Sequence, residues 1–213
     1  PPRHIEAMGA RTVKSGRQGG VRGPHLTSMH SRDNAYADKL IALMADSGVA
    51  AVSNPLINMV LSGRYDTYPK RRGLARIPEL LKAGVRVGFG HDCVMDPWYR
   101  LGSHDMLEVA AMGLHAAHMT SENGMADCFR SVTDMAAGIL GLPSYGLKVG
   151  NPADLVVLQA KSVFDALRLR PARLFVLRNG QVISRTEPRV STLSLTPENV
   201  RPVNLATVCS EPV

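Results

Sequence analysis

Three short apolar segments, 20–26, 49–53 and 85–90, alternate with stretches of helical periodicity, and each runs into polar residues where it ends. Short apolar strands that alternate with helices indicate βα units on a parallel sheet. After the first segment, Leu40, Ile41, Leu43 and Met44 recur at helical spacing within 35–47, and Gly48 follows. The second ends in Asn54-Pro55, and a long polar loop leads to a helix over about 77–83, with Pro78 in its first turn and Gly84 beyond it. The third ends in His91-Asp92, and a loop leads to a helical stretch over about 104–118. Three such units cannot close an eight-stranded barrel, and 213 residues fall short of the roughly 250 that a complete one uses. An open three-stranded parallel sheet leaves an edge with no evident protection. The chain therefore reads as the C-terminal portion of a larger protein.

Around residue 142 the pattern changes. A helix over about 125–140 ends at Gly141, a strand is expected at 155–158, and segments 174–177 and 181–184 flank Arg178-Asn179-Gly180, a type I′ hairpin signal. A further strand is expected at 190–195. Four regions result: an irregular, cut-looking edge at 1–19, a βα region at 20–141, a smaller β region at 142–190 and a polar tail at 191–213.

The formal charge of +7 concentrates in 11–22, 70–72 and 168–178, without interleaved aromatics or a helix-turn-helix, finger or RNP signature. Nucleic-acid binding is therefore not expected. No apolar run approaches the ~18 residues of a membrane span, so no membrane partner is expected and a cytoplasmic location follows by default. Cys93, Cys128 and Cys209 are odd in number and form no CxxC, which suits a reducing compartment.

Chemistry concentrates where the strands end: His25, then Asn54, then His91-Asp92 with Cys93, Asp96 and Trp98 behind them. Imidazole and carboxylate are fitting ligands for a borderline divalent metal, and a carboxylate can also move protons. Each has a plainer reading: His25 as a hydrogen-bonded structural residue, Asp92 as a cap, His104, His115 and His118 as surface or packing residues, and Lys70-Arg71-Arg72 as a solvated loop paired with Asp66. The residues by themselves reach a candidate metal site on part of a barrel.

The strings His25-Leu26-Thr27-Ser28-Met29-His30-Ser31, Asn54-Pro55-Leu56-Ile57-Asn58, Gly63-Arg64-Tyr65-Asp66-Thr67-Tyr68-Pro69-Lys70-Arg71-Arg72-Gly73, Phe89-Gly90-His91-Asp92 and Asp96-Pro97-Trp98-Tyr99 closely resemble the bacterial cytosine deaminases of the amidohydrolase superfamily. The similarity runs from about residue 20 to about 186. It implies an α/β fold, the C-terminal part of a TIM-like (β/α)8 barrel at 20–141, followed at 142–190 by part of a small β-sandwich. It also implies one divalent metal, Fe(II) or Zn(II), and hydrolytic release of ammonia from a heterocyclic base, by a full-length protein that is a homo-oligomer.

By position, the resemblance makes Asp92 a metal ligand and proton shuttle. It makes His25 the histidine at the attacking water and, with Asp92, the metal side of the site. Cys93, Trp98 and Asn54 become pocket residues. The family's His-x-His pair, base-reading glutamine and later histidine and glutamate precede the His25 segment and are not found in this chain. The resemblance thus implies an enzyme of cytosine or a related base, inactive as this chain alone; the alternative is a remnant serving as a structural or oligomerisation module. Cys93 stands where the family often has aspartate, which points to 5-methylcytosine, isocytosine or creatinine, unless the thiol merely fills a gap.

Overall fold

The computed structural model describes residues 3–193 and 201–203. They form two compact units, Pro1–Pro143 and Ser144–Val213. The first is α/β: a parallel sheet in the order β1-β2-β3, built from Arg22–Pro24, Ala50–Ser53 and Val87–Phe89. Pro24 pairs with Val52, and Ser53 with Phe89, so the three strands end level with one another. The residues of β2 and β3 are almost wholly enclosed, as expected of a parallel sheet covered on both faces. Met29, Leu40, Met44, Ile77, Leu80 and Val109 fill the space around them.

Helices α1 (Arg3–Lys14), α2 (Asn34–Ser47), α3 (Pro55–Leu61), α4 (Ile77–Lys82), α5 (Met106–Ala116), α6 (Glu122–Arg130) and α7 (Asp134–Leu140) complete this unit. Side chains start several of them. The Asp33 carboxylate accepts from Tyr36 N at 2.8 Å and Asp105 from Leu107 N at 2.7 Å, which satisfies helix donors that have no internal partner.

Four expectations are corrected. Residues 3–14, expected to be irregular, form α1; its buried seam is only Ile5, Gly9 and Thr12, too narrow to stand out among its charged neighbours. Tyr36 of α2 donates its hydroxyl to Glu6 at 2.7 Å, tying α1 to α2. The expected long loop after Asn54 begins with α3, because Pro55 occupies the first helical turn, where a missing N–H costs nothing.

The single helix expected at 125–140 is two, α6 and α7. The carbonyl of buried Ser131 accepts from Phe89 N at 2.8 Å and is thereby taken out of the helical ladder. That bond also covers part of the β3 edge, for which no protection was anticipated. Arg22 Nε donates to Ile139 O at 2.5 Å, which ties the β1 end of the sheet to α7.

In the second unit β4 (Leu155–Leu158), β5 (Arg173–Arg178) and β6 (Gln181–Arg185) form an antiparallel sheet in that order. Asn179 and Gly180 both have positive φ, 49° and 78°, the conformation a type I′ turn requires. Between β4 and β5 lies α8 (Val163–Leu169), which periodicity over so short a span did not announce; Ser162 caps it by accepting from Asp165 N at 3.1 Å. Part of the strand expected at 190–195 is β7 (Ser191–Leu193), which pairs with β8 (Arg201–Val203); residues 194–195 lie outside the described residues, as does Cys209. Cys93 and Cys128 are free thiols. Among the described residues no helix is long and apolar enough to cross a membrane.

Candidate active site

The level strand ends bring His25, Asn54 and Asp92 side by side, with Asn54 on the central strand. His25 extends the β1–β2 ladder by donating its backbone N–H to Val52 O at 2.7 Å, and Gly90 does the same to Ser53 O at 2.9 Å. The chain then turns sharply. His25, Leu26 and Asp92 adopt the left-handed conformation, with φ of 62°, 55° and 66°. Such backbone is uncommon outside glycine and concentrates at functional sites.

His25 Nε2 lies 3.4 Å from Asp92 Oδ2, with the two side chains 41% and 32% exposed, so both remain reachable from solvent. Asn54 Nδ2 stands 3.1 Å from His25 Nδ1 and 3.4 Å from Asp92 Oδ2, bridging the pair. Asn58 Nδ2, from α3, is 2.9 Å from His25 Nδ1. An amide NH2 only donates, so Nδ1 is the acceptor and the ring proton sits on Nε2, facing the carboxylate. Gly90 makes room for this arrangement: a Cβ there would run into Asn54 Oδ1.

Cys93 follows directly, its Sγ 3.7 Å from Asp92 Oδ1. The Asp96 carboxylate, which accepts from the thiol, pushes it up to about 12, with burial and the Asp92 charge acting in the same direction. The same bond holds the Asp96 carboxyl below the usual carboxylate range. Asp96 Oδ1 also accepts from Trp98 N at 2.9 Å and Tyr99 N at 2.8 Å, which forms the turn presenting Trp98. The indole is 65% exposed.

His91 is enclosed. Its Nδ1 donates to Cys93 O at 3.0 Å, its ring meets Tyr99 edge-on with centroids 6.4 Å apart, and Gly102, with φ 93°, leaves the space the imidazole fills. The sequence places His91 beside Asp92 at the third strand end and Asn58 at the close of the Asn54-Pro55-Leu56-Ile57-Asn58 string but gives neither a role; Asn58 lies one helical turn beyond Asn54 and therefore on the same face. His104 is exposed, with its ring centroid 6.1 Å from that of His91. His115 Nδ1 donates to Ala111 O at 2.6 Å within α5. Lys70 donates to Arg64 O at 3.0 Å, and Arg71 forms a two-pronged pair with Asp66.

The donor set bears directly on a metal. A catalytic divalent site takes three or more protein ligands, and among the described residues no group of three His, Cys, Asp or Glu side chains could hold one. Asp92 brings an oxygen, whereas both His25 nitrogens are engaged, Nδ1 by amides and Nε2 by its own proton. The residues present do not by themselves form a metal centre.

The sequence matches the Amidohydrolase family over residues 2–190. That match includes the N-terminal helix, which the resemblance from residue 20 onward had left out. Pterin deaminase of Rhizobium rhizogenes is 33% identical over 186 residues, covering 86% of this chain and 42% of the relative. Among solved structures, 5-methylcytosine deaminase from Klebsiella pneumoniae liganded with 5-fluorocytosine is 37% identical, with a TM-score of 0.86 over 92% of this chain and 47% of that one. N-isopropylammelide isopropylaminohydrolase from Burkholderia multivorans is 28% identical, with a TM-score of 0.74 over 85% of this chain and 43% of that one. The chain thus spans less than half the length of these relatives.

Proposed function

The chain belongs to the amidohydrolase family, and from that premise we propose that it supplies three adjoining strand ends, and one wall of the pocket, of a hydrolase that deaminates a heterocyclic base. In this reading β1, β2 and β3 are part of a TIM-like barrel and the second unit is part of a small β-sandwich. The observation that carries it is the His25–Asp92 pair at neighbouring strand ends, bridged by Asn54 and open to solvent. A carboxylate beside an N–H donor, each in a left-handed turn, is suited to moving protons at an attacked carbon.

Deamination forms a bond from the oxygen of water to the ring carbon, breaks the bond to the amino nitrogen and releases ammonia; one proton of the water leaves with the ammonia and the other ends on the adjacent ring nitrogen. In this reading Asp92 receives a proton from the attacking water and passes it towards the leaving nitrogen. The His25 Nε2–H steadies the oxygen as charge gathers on it. Asn54 holds both groups in register. The reading assigns the whole protein one divalent ion, iron or zinc, to which this chain brings Asp92.

The base is inferred from Cys93. A small, neutral thiol adjoining the catalytic carboxylate suits an apolar ring substituent better than a charged group would. This supports a 5-substituted cytosine, and 5-methylcytosine is what the name of the relative from Klebsiella pneumoniae carries. Ammonia release by the full-length protein from cytosine, 5-methylcytosine, isocytosine, creatinine and pterin tests the reading. We expect 5-methylcytosine to lead in kcat/KM and Cys93→Asp to shift preference towards cytosine. Cytosine or pterin in the lead for the unaltered protein would overturn the role given to Cys93. Release from none of them, with no retained metal, would favour a structural remnant.

A further inference from the structure

We propose that Asn58 is a positioning residue that fixes which nitrogen of His25 carries the proton. Asn58 is buried, with 5% of its surface exposed. Its Nδ2 lies 2.9 Å from His25 Nδ1, and its Oδ1 accepts the backbone N–H of Asn54 at 3.3 Å. That second bond gives the amide its direction. A flip would press NH2 against N–H and turn a carbonyl oxygen towards the ring. The backbone reinforces the placement, because Asn58 N donates to Asn54 O at 3.0 Å in the first turn of α3.

With the amide locked, the imidazole has one comfortable form. Nδ1 offers its lone pair to NH2, and the proton stays on Nε2, aimed at Asp92 Oδ2 3.4 Å away. The other tautomer would set Nδ1–H against two amide NH2 groups and a bare Nε2 lone pair against a carboxylate. Both contacts are repulsive, and on the Nδ1 side the enclosing amides of Asn54 and Asn58 are buried, so little water can compensate there. Asn54 also donates to Nδ1, but it is shared with Asp92 and sits farther away, at 3.1 Å. Asn58 therefore acts through His25, at a distance from any substrate, and makes it a donor on its catalytic face. The consequence for rate rests on the deaminase reading; the location of the proton does not.

The test uses the full-length protein labelled with ring-15N histidine, the His25 signals being identified by their loss in His25→Gln. The expected result is an unprotonated Nδ1 and a protonated Nε2. Asn58→Asp has the same shape but offers only acceptors, and should place a proton on Nδ1. It should also lower kcat by about tenfold or more, the usual effect of removing a partner that orients a functional histidine. KM should change by less than about threefold, because the lost interaction belongs to the transition state. Asn58→Ala, a variant without a buried charge, should show a mixture of both tautomers.

A protonated Nδ1 in the unaltered protein overturns the proposal. So does a ring spectrum that neither substitution alters. If the spectra behave as expected while no base in the panel is deaminated, the deaminase reading fails and the role of Asn58 stands.

Discussion

His25 Nε2 and Asp92 Oδ2 approach to 3.4 Å although they follow β1 and β3, strands that do not pair with each other. The strand between them supplies the bridge, Asn54. Both partners sit in left-handed turns, with φ of 62° and 66°, so that each side chain leaves its strand end towards the other.

Asparagine tolerates the left-handed conformation, so Asp92→Asn should keep the fold while removing the proton acceptor. His25→Ala removes the Nε2–H donor. For each, kcat on the best base should fall by about 100-fold or more, within the range that a positioned acid or base contributes. Thermal unfolding should move little. Steady-state kinetics beside a melting curve checks this, and activity within a few-fold of the parent would show that the pair is structural.

Gly90→Ala tests the bridge without touching the pair. The added Cβ would run into Asn54 Oδ1 and must displace that amide from between His25 and Asp92. The expected outcome is a fall in kcat of about tenfold, near 1.4 kcal/mol of barrier. A variant crystal structure should show Asn54 swung away, and an unmoved Asn54 would contradict the account.

Cys93 should be a poor nucleophile. Its thiol is pushed up to about 12, chiefly by the bond to Asp96, whereas an unperturbed cysteine titrates near ~8.5. The raised value leaves little thiolate at pH 8, so iodoacetamide should label Cys93 more slowly than an unperturbed cysteine in a peptide. Asp96→Asn should speed the labelling, since it removes a negative charge and leaves only a neutral, weaker acceptor for the thiol. Peptide-resolved mass spectrometry reads the rates, and labelling as fast as in the peptide would refute the shift.

The loop over 63–73 is braced by Asp66 and Arg71, whose Nη2–Oδ1 contact is 2.7 Å. The Arg71 guanidinium beside Asp66 holds its carboxyl below the usual range. A carboxylate lowered on folding stabilises at pH values above its unfolded pKa, and that contribution fades as pH falls through the folded value. Asp66→Asn should therefore lower Tm slightly at pH 7, and the gap to the parent should close below about pH 4, near the ordinary Asp value. The effect is small because the pair is exposed. A gap that stays constant down to pH 3 would exclude the ion pair as its source.

Much of this protein was legible in its residues. Three apolar runs ending in His25, Asn54 and Asp92 announced parallel strands with chemistry at their ends, and Asn179-Gly180 announced its hairpin. These are local signals, set by side-chain period and by the backbone preferences of single residues. Others depended on partners remote in the chain. The break between α6 and α7 exists because Ser131 O receives Phe89 N, and α1 holds through a seam as narrow as Ile5, Gly9 and Thr12. The roles of Asn58 and His91 and the tautomer of His25 likewise follow from the register that sets Pro24 beside Val52 and Ser53 beside Phe89. Residue type and spacing determined which groups stand at the strand ends. Only the tertiary structure decided which nitrogen faces which oxygen, because hydrogen-bond direction depends on ångström-scale placement between segments that no local periodicity encodes.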